Sequence, residues 1–150
     1  MTTSLQTRFS IEIDRPAETV WAVVSDYPND LRWRKGITEM SADRPGAPAV
    51  GTRVREVLQL GGREYVTETQ VTEAGPGMRY RFAGTGTSGA VEGGRSVEPG
   101  AHATSSVFHY DVEVRPDSIS PVVRPVLRWW LGHSMRRDLR ALRALVETRS

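Results

Sequence analysis

Apolar positions recur with helical spacing near the C-terminal end of the chain. Leu127, Leu131, Met135, Leu139, Leu142 and Val146 stand four, four, four, three and four residues apart. That spacing puts them on one stripe of an α-helix over 126–146. Arg136, Arg140, Arg143 and Glu147 fall on the opposite face. At about 100° per residue, Asp138 falls inside the apolar stripe, close to Leu131 and Leu142, and Ser134 at its edge. A carboxylate on the inner side of a long helix points to a polar group inside a covered space.

Upstream the period changes to two. Phe9, Ile11 and Ile13 alternate with Ser10, Glu12 and Asp14, the pattern of a half-buried strand. Arg15-Pro16-Ala17-Glu18 then starts a helix, because proline is preorganised for the first helical position and Asp14 and Glu18 suit the positive end of the dipole. Val20, Val23 and Val24 form its apolar face. Residues 25–30 interrupt it, and a short second helix is predicted through Leu31 and Trp33. From Gly36 onward the pattern is of strands, over 37–42, 53–60, 64–73, 78–83 and 104–114. Gly61-Gly62 reads as a hairpin turn and Gly75-Pro76-Gly77 as the next turn. Residues 84–100 hold six glycines and read either as a frayed edge hairpin or as a mobile flap. Pro121 and Pro125 lead into the terminal helix. Short turns between consecutive strands imply an antiparallel meander. The terminal helix, about 30 Å long, is the element able to cover its apolar face. The expectation is one α+β domain over residues 1–150.

Strand parity assigns an inner face. Val54, Glu56, Leu58 and Leu60 share one side of their strand, and Tyr65, Thr67, Thr69 and Val71 one side of the next. Tyr80 and Phe82, then Phe108, Tyr110, Val112 and Val114, follow in the later strands. A cavity behind these faces is expected to be lined by Tyr65, Tyr80, Phe82, Phe108 and Tyr110. Glu56, Thr67, Thr69, Ser134 and Asp138 would be its polar anchors, as in a small-molecule pocket. The alternative is that the aromatic residues fill a core. An apolar enclosure disfavours the charged form of a carboxylate, which makes Glu56 and Asp138 the candidate catalytic acid/base pair. Against this, Asp138 could pair with arginines from a neighbouring strand, and Glu56 could sit at a wet rim. His109, Asp111 and His133 are expected to face outward. Of Trp129 and Trp130 only one can pack inward. Trp130 is taken as ligand-facing, and an exposed tryptophan could cap the mouth or join a homodimer interface.

Composition narrows the chemistry. The chain has no cysteine, hence no disulfide framework and no thiolate nucleophile. Three scattered histidines make no metal-ligand spacing, and no phosphate-binding loop is visible, so neither metal nor cofactor is expected. The net charge is +2, and Lys35 is the single lysine among 20 basic residues. The basic residues are dispersed, apart from the outer face of the last helix and Arg32-Arg34-Lys35, so no nucleic-acid partner is expected. No apolar run approaches the ~20 residues of a membrane span, and no secretory signal opens the chain. A cytoplasmic protein without stable membrane insertion is the expectation.

The segment from Phe9-Ser10-Ile11-Glu12-Ile13-Asp14 through Arg15-Pro16-Ala17-Glu18-Thr19-Val20-Trp21 resembles the opening signature of the START-like, polyketide cyclase/dehydrase-like (SRPBCC) superfamily. Asp26-Tyr27-Pro28, Leu31-Arg32-Trp33, Gly51-Thr52-Arg53-Val54 and Val71-Thr72-Glu73-Ala74-Gly75-Pro76-Gly77 continue it, so that the likeness covers nearly the whole chain. The resemblance implies the helix-grip fold, a curved antiparallel sheet wrapped around a long C-terminal helix with two short helices after the first strand. It also implies a deep cavity for a hydrophobic, polyketide-like small molecule. A cofactor-independent cyclase, aromatase or dehydratase of specialised metabolism is the expected activity. The alternative is a non-catalytic carrier or sensor, because the fold hosts enzymes, carriers and receptors alike. Aromatase/cyclases of the superfamily tend to carry an internal arginine. No arginine falls on a predicted inner face here, which argues against a standard aromatase role.

Overall fold

The computed structural model describes residues 5–60, 62–87, 89–116 and 124–148. Gly61, Pro121 and the side chain of Leu127 lie outside the described residues. Seven strands form one antiparallel sheet: β1 (Leu5–Ile13), β2 (Ile37–Ala42), β3 (Arg53–Leu60), β4 (Arg63–Ala74), β5 (Arg79–Gly86), β6 (Gly89–Pro99) and β7 (Ser106–Pro116). Their spatial order is β1-β7-β6-β5-β4-β3-β2. Helices α1 (Ala17–Val24) and α2 (Asp30–Trp33) follow β1, and α3 (Arg124–Glu147) closes the chain. This is the helix-grip architecture.

Each element forms for a local reason. Pro16 caps α1, and its carbonyl accepts the first amides, from Thr19 and Val20. Ala17, Val20, Val23 and Val24 then all point into the core. In β1 inner positions alternate with exposed ones from Leu5 to Ile13, as period two requires. The inner stripe of α3 buries Leu139, Leu142 and Val146 against Ile13, Val20 and Phe108. Full burial of such side chains contributes about 1.5–3 kcal/mol each.

Residues 84–100 are neither a frayed edge nor a flap. They supply β6, which pairs along its length with β5 and β7. The glycines serve curvature. A Cβ at Gly84 would overlap the backbone carbonyl of Glu68, and one at Gly93 the carbonyl of Asp111. Bare backbone at these two points lets adjacent strands crowd as the sheet bends.

Candidate functional site

Between the concave face and α3 lies a cavity of about 650 Å³. The pairing register shows how it is built. Leu58 faces Tyr65 and Glu56 faces Thr67 across β3 and β4. Val54, Thr69, Gly84, Val91, Val114 and Leu5 follow one another across the sheet. Phe82, Gly93, Val112 and Thr7 make the next row, and Tyr80, Arg95 and Tyr110 the row after that. From α3, Trp130, Leu131, Ser134, Met135, Asp138 and Leu139 close the cavity.

Among the expected residues, Tyr65, Thr67, Thr69, Phe82, Tyr110, Trp130, Ser134, Glu56 and Asp138 all line this space. Tyr80 and Phe108 do not. They have the inner parity but lie in the core beside the cavity, 1% and 0% exposed. Tyr27 packs edge-on against Tyr80, and Trp33 edge-on against Phe108. The residues after α1 cover that end of the sheet, so these two rings support the cavity instead of lining it. His109 and His133 are outward, and Trp129 is exposed, its ring stacked on that of His133.

The inner face does carry an arginine, contrary to the sequence expectation. Arg95 on β6 is 2% exposed. It forms a two-pronged ion pair with the fully buried Asp30, at 2.9 and 2.5 Å, and donates to the Val24 carbonyl at 3.1 Å. The rings of Tyr110, Trp33 and Tyr27 surround its guanidinium, with centroids at 4.5, 5.2 and 5.8 Å. Such cation–π contacts, with Asp30, offset the cost of burial. Burial opposes the Arg95 charge, but Asp30 and the tyrosines outweigh it and hold the guanidinium well above its usual range.

Asp30 links this core pair to the cavity. Arg34, one helical turn on, donates from Nη1 to Asp30 at 3.2 Å and to Glu56 at 2.5 Å. Arg95, Asp30, Arg34 and Glu56 thus form an alternating chain of charges running from the core to the cavity wall. Burial again opposes the Arg34 charge, and Glu56, Tyr110 and Asp30 more than compensate, raising its pKa. Both Arg34 bonds use Nη1, and among the described residues Nη2 and Nε make no hydrogen bond.

The next residue holds the second carboxylate. The Lys35 amide donates to Asp138 Oδ1 at 3.2 Å, and Arg137 lies 3.5 Å from the same oxygen. Desolvation raises the Asp138 pKa, against the lowering effects of the Lys35 amide, Arg34 and Arg137. Two adjacent residues at the end of α2 therefore hold both acidic groups of the cavity. Burial also pushes the Tyr27 hydroxyl up to about 12, so it remains a neutral phenol at the cavity floor.

Sequence reasoning missed Asp30, Arg34 and Arg95 as site residues. The alternation of Val91, Gly93, Arg95 and Val97 was the available signal for Arg95, and the Asp30–Arg34 spacing of four for the other two. Among the described residues no group of three His, Cys, Asp or Glu could hold a metal ion.

The model of the family described as "Polyketide cyclase / dehydrase and lipid transport" matches residues 4–147. The chain belongs to that family. Solved structures share the fold of this family member at low identity. A START superfamily protein from Mycobacterium smegmatis is 20% identical, with 95% of this chain and 97% of that one covered and a TM-score of 0.78. The Zhui aromatase/cyclase from Streptomyces sp. R1128 is 12% identical, with 97% and 94% covered and a TM-score of 0.79. A protein from Thermus thermophilus is 16% identical, with 94% and 96% covered and a TM-score of 0.79. At these identities the likeness concerns the fold. No curated protein matches the chain.

Proposed function

We propose that this family member binds a hydrophobic, carbonyl-bearing, polyketide-like molecule and acts on it as a cofactor-independent cyclase or dehydratase. The observation that carries this reading is the pair of carboxylates, Glu56 and Asp138, held by Arg34 and Lys35 in a cavity lined mostly by apolar and hydroxyl-bearing side chains. Their surroundings differ. Glu56 is an ion-paired acceptor, whereas desolvation favours the protonated form of Asp138. Asp138 therefore suits the acid role, and the ion-paired Glu56 is assigned the base role.

In the proposed reaction Glu56 takes a proton from the carbon between two carbonyls. The unengaged N–H groups of Arg34 steady the enolate oxygen. The carbanion carbon attacks a second carbonyl of the same chain, forming the new C–C bond, and Asp138 protonates the resulting alkoxide. For loss of water, Asp138, now a carboxylate, takes the remaining proton of the attacking carbon while Glu56 returns its proton to the leaving hydroxide, so both groups regain their starting states. Tyr65, Thr67, Thr69 and the rings of Phe82, Tyr110 and Trp130 would hold the chain folded, and holding reacting carbons together supplies much of the acceleration.

The second reading is a non-catalytic carrier or sensor, favoured by the large apolar share of the lining. Titration with a fluorescent apolar probe, displaced by flat aromatic β-dicarbonyl compounds, tests the cavity in either case. Saturable, competitive binding is expected. Conversion of a displacing β-polyketone into a cyclised product then selects the enzyme, and binding without conversion across such compounds selects the carrier. Absence of saturable binding would remove both readings.

A further inference from the structure

The outer face of α3 concentrates positive charge on one element. The helix carries six arginines against two carboxylates, a surplus of four. That exceeds the net charge of the whole chain, +2, so the remainder of the protein is net acidic. Of the two carboxylates, Asp138 faces the cavity and Glu147 ends the helix, where it accepts the Asp14 amide. Elsewhere, Arg55 meets Glu39, Arg79 meets Glu73, Arg81 meets Asp111 and Arg115 meets Glu92, while Arg8, Arg32, Arg44, Arg53 and Arg63 are exposed singly on other elements and loops. On α3, Arg128, Arg136, Arg140 and Arg143 are exposed and have no carboxylate partner among the described residues. Arg136 lies over the Phe9 ring instead, at 5.3 Å. From Arg128 to Arg143 this one-signed stripe runs about 22 Å.

At its start stands Trp129, 68% exposed. The next residue, Trp130, lines the cavity. The stripe therefore begins at the wall of the cavity, with an apolar side chain projecting into solvent.

We propose that the outer face of α3 docks the protein reversibly on an anionic lipid bilayer, with Trp129 seated at the headgroup level and the arginines over the acidic headgroups. This goes beyond the reaction proposed above and stands or falls independently of it. Charge complementarity selects an acidic partner surface, and the scarcity of apolar area selects lipid over protein. A specific protein interface needs a packed apolar centre within a polar rim. Trp129 is the single exposed large hydrophobic residue on α3 among the described residues. A single tryptophan beside a row of arginines instead matches a laterally fluid, negatively charged interface, where tryptophan settles and basic residues add attraction one by one. Such docking is peripheral, since no described helix is long and apolar enough to cross a membrane.

The test is cosedimentation of the purified full chain with vesicles of phosphatidylcholine alone and of phosphatidylcholine with phosphatidylglycerol, at low and high salt. Binding to the mixed vesicles at low salt, reversed by salt, is expected, with little binding to the neutral ones. Each arginine near an anionic bilayer is worth about fivefold in partitioning. The triple variant Arg128→Gln/Arg140→Gln/Arg143→Gln should therefore partition about 100-fold more weakly, with an unchanged melting temperature showing that it is folded. Trp129→Phe should abolish most of the tryptophan emission shift seen on vesicle addition. Equal binding to neutral and acidic vesicles, an unaffected triple variant, or no vesicle binding at low salt would each overturn the proposal. In the last case, salt-sensitive binding to an acidic protein would assign the stripe to a protein partner instead.

Discussion

Two polar clusters sit on opposite faces of the same sheet. On the outer face, Ser10 Oγ lies 2.6 Å from His109 Nδ1, and His109 Nε2 lies 2.7 Å from Glu98 Oε1. By residue type and distance this is a nucleophile, a base and a carboxylate in a row. The inner cluster of Arg95, Asp30, Arg34 and Glu56, with Asp138 nearby, contains no such row. Yet the inner cluster is the better candidate for chemistry. The outer residues stand on β1, β7 and β6, where the neighbouring amides are spent on strand pairing and the side chains are in water. Among the described residues nothing there encloses a substrate. Arg95, Asp30 and Asp138 are buried and Arg34 and Glu56 half-buried, so their charges are screened less than those of the outer cluster, and a cavity adjoins them. Enclosure, more than the set of residue types, separates a site from a surface ladder.

The comparison can be broken at several points. Arg95→Met should cost about 3–5 kcal/mol in urea denaturation, because it removes both short bonds to the buried Asp30 and leaves it only the longer one from Arg34. The double variant Asp30→Leu/Arg95→Met should recover much of that loss. A cost below about 1 kcal/mol for the single variant would show that the inner charges are not coupled as described. Gly84→Ala should cost about 1–3 kcal/mol through its overlap with the Glu68 backbone, again by denaturation.

Asp138 gives a pH-dependent test. Its folded pKa is raised from the ordinary 3.8, so the folded protein holds this proton more tightly than the unfolded chain. Wild-type stability therefore falls as pH rises from 3.8 through the raised value, and the loss persists above it. Asp138→Asn removes that loss. Its melting temperature relative to wild type should rise with pH across this window, and a gap independent of pH would contradict the assignment. The smallest effect belongs to the outer cluster. Ser10→Ala and His109→Ala should each change stability by no more than about 0.5 kcal/mol and leave any reaction in the cavity untouched.

The sequence made the architecture legible because period and parity are local. The α3 stripe, the alternation in β1 and the inward parity of Tyr65, Thr67 and Thr69 all appear in the structure. Depth along a strand is not local. Tyr80 and Phe82 share a face, but the residues after α1 cover Tyr80, whereas Phe82 meets the cavity. The glycine-rich run hid β6, since glycine reads as a break while here it permits curvature, and Arg95 was hidden with it. Asp30 fell in the break after the first helix, and Arg34 in a cluster of basic residues. Only their approach to Arg95 and Glu56, 65 and 22 residues away in sequence, makes them part of the site.

The central claim is that the enclosed carboxylates, above all Asp138, carry out proton transfer in the cavity. The direct measurement is the rate at which Asp138→Asn converts a β-polyketone substrate, compared with wild type at matched saturation. The account predicts a loss of about 10²–10⁴-fold, as for a lost general acid, with affinity for the fluorescent probe within a few fold of wild type. A variant that turns over at the wild-type rate would contradict it and leave the shape of the cavity as the source of function.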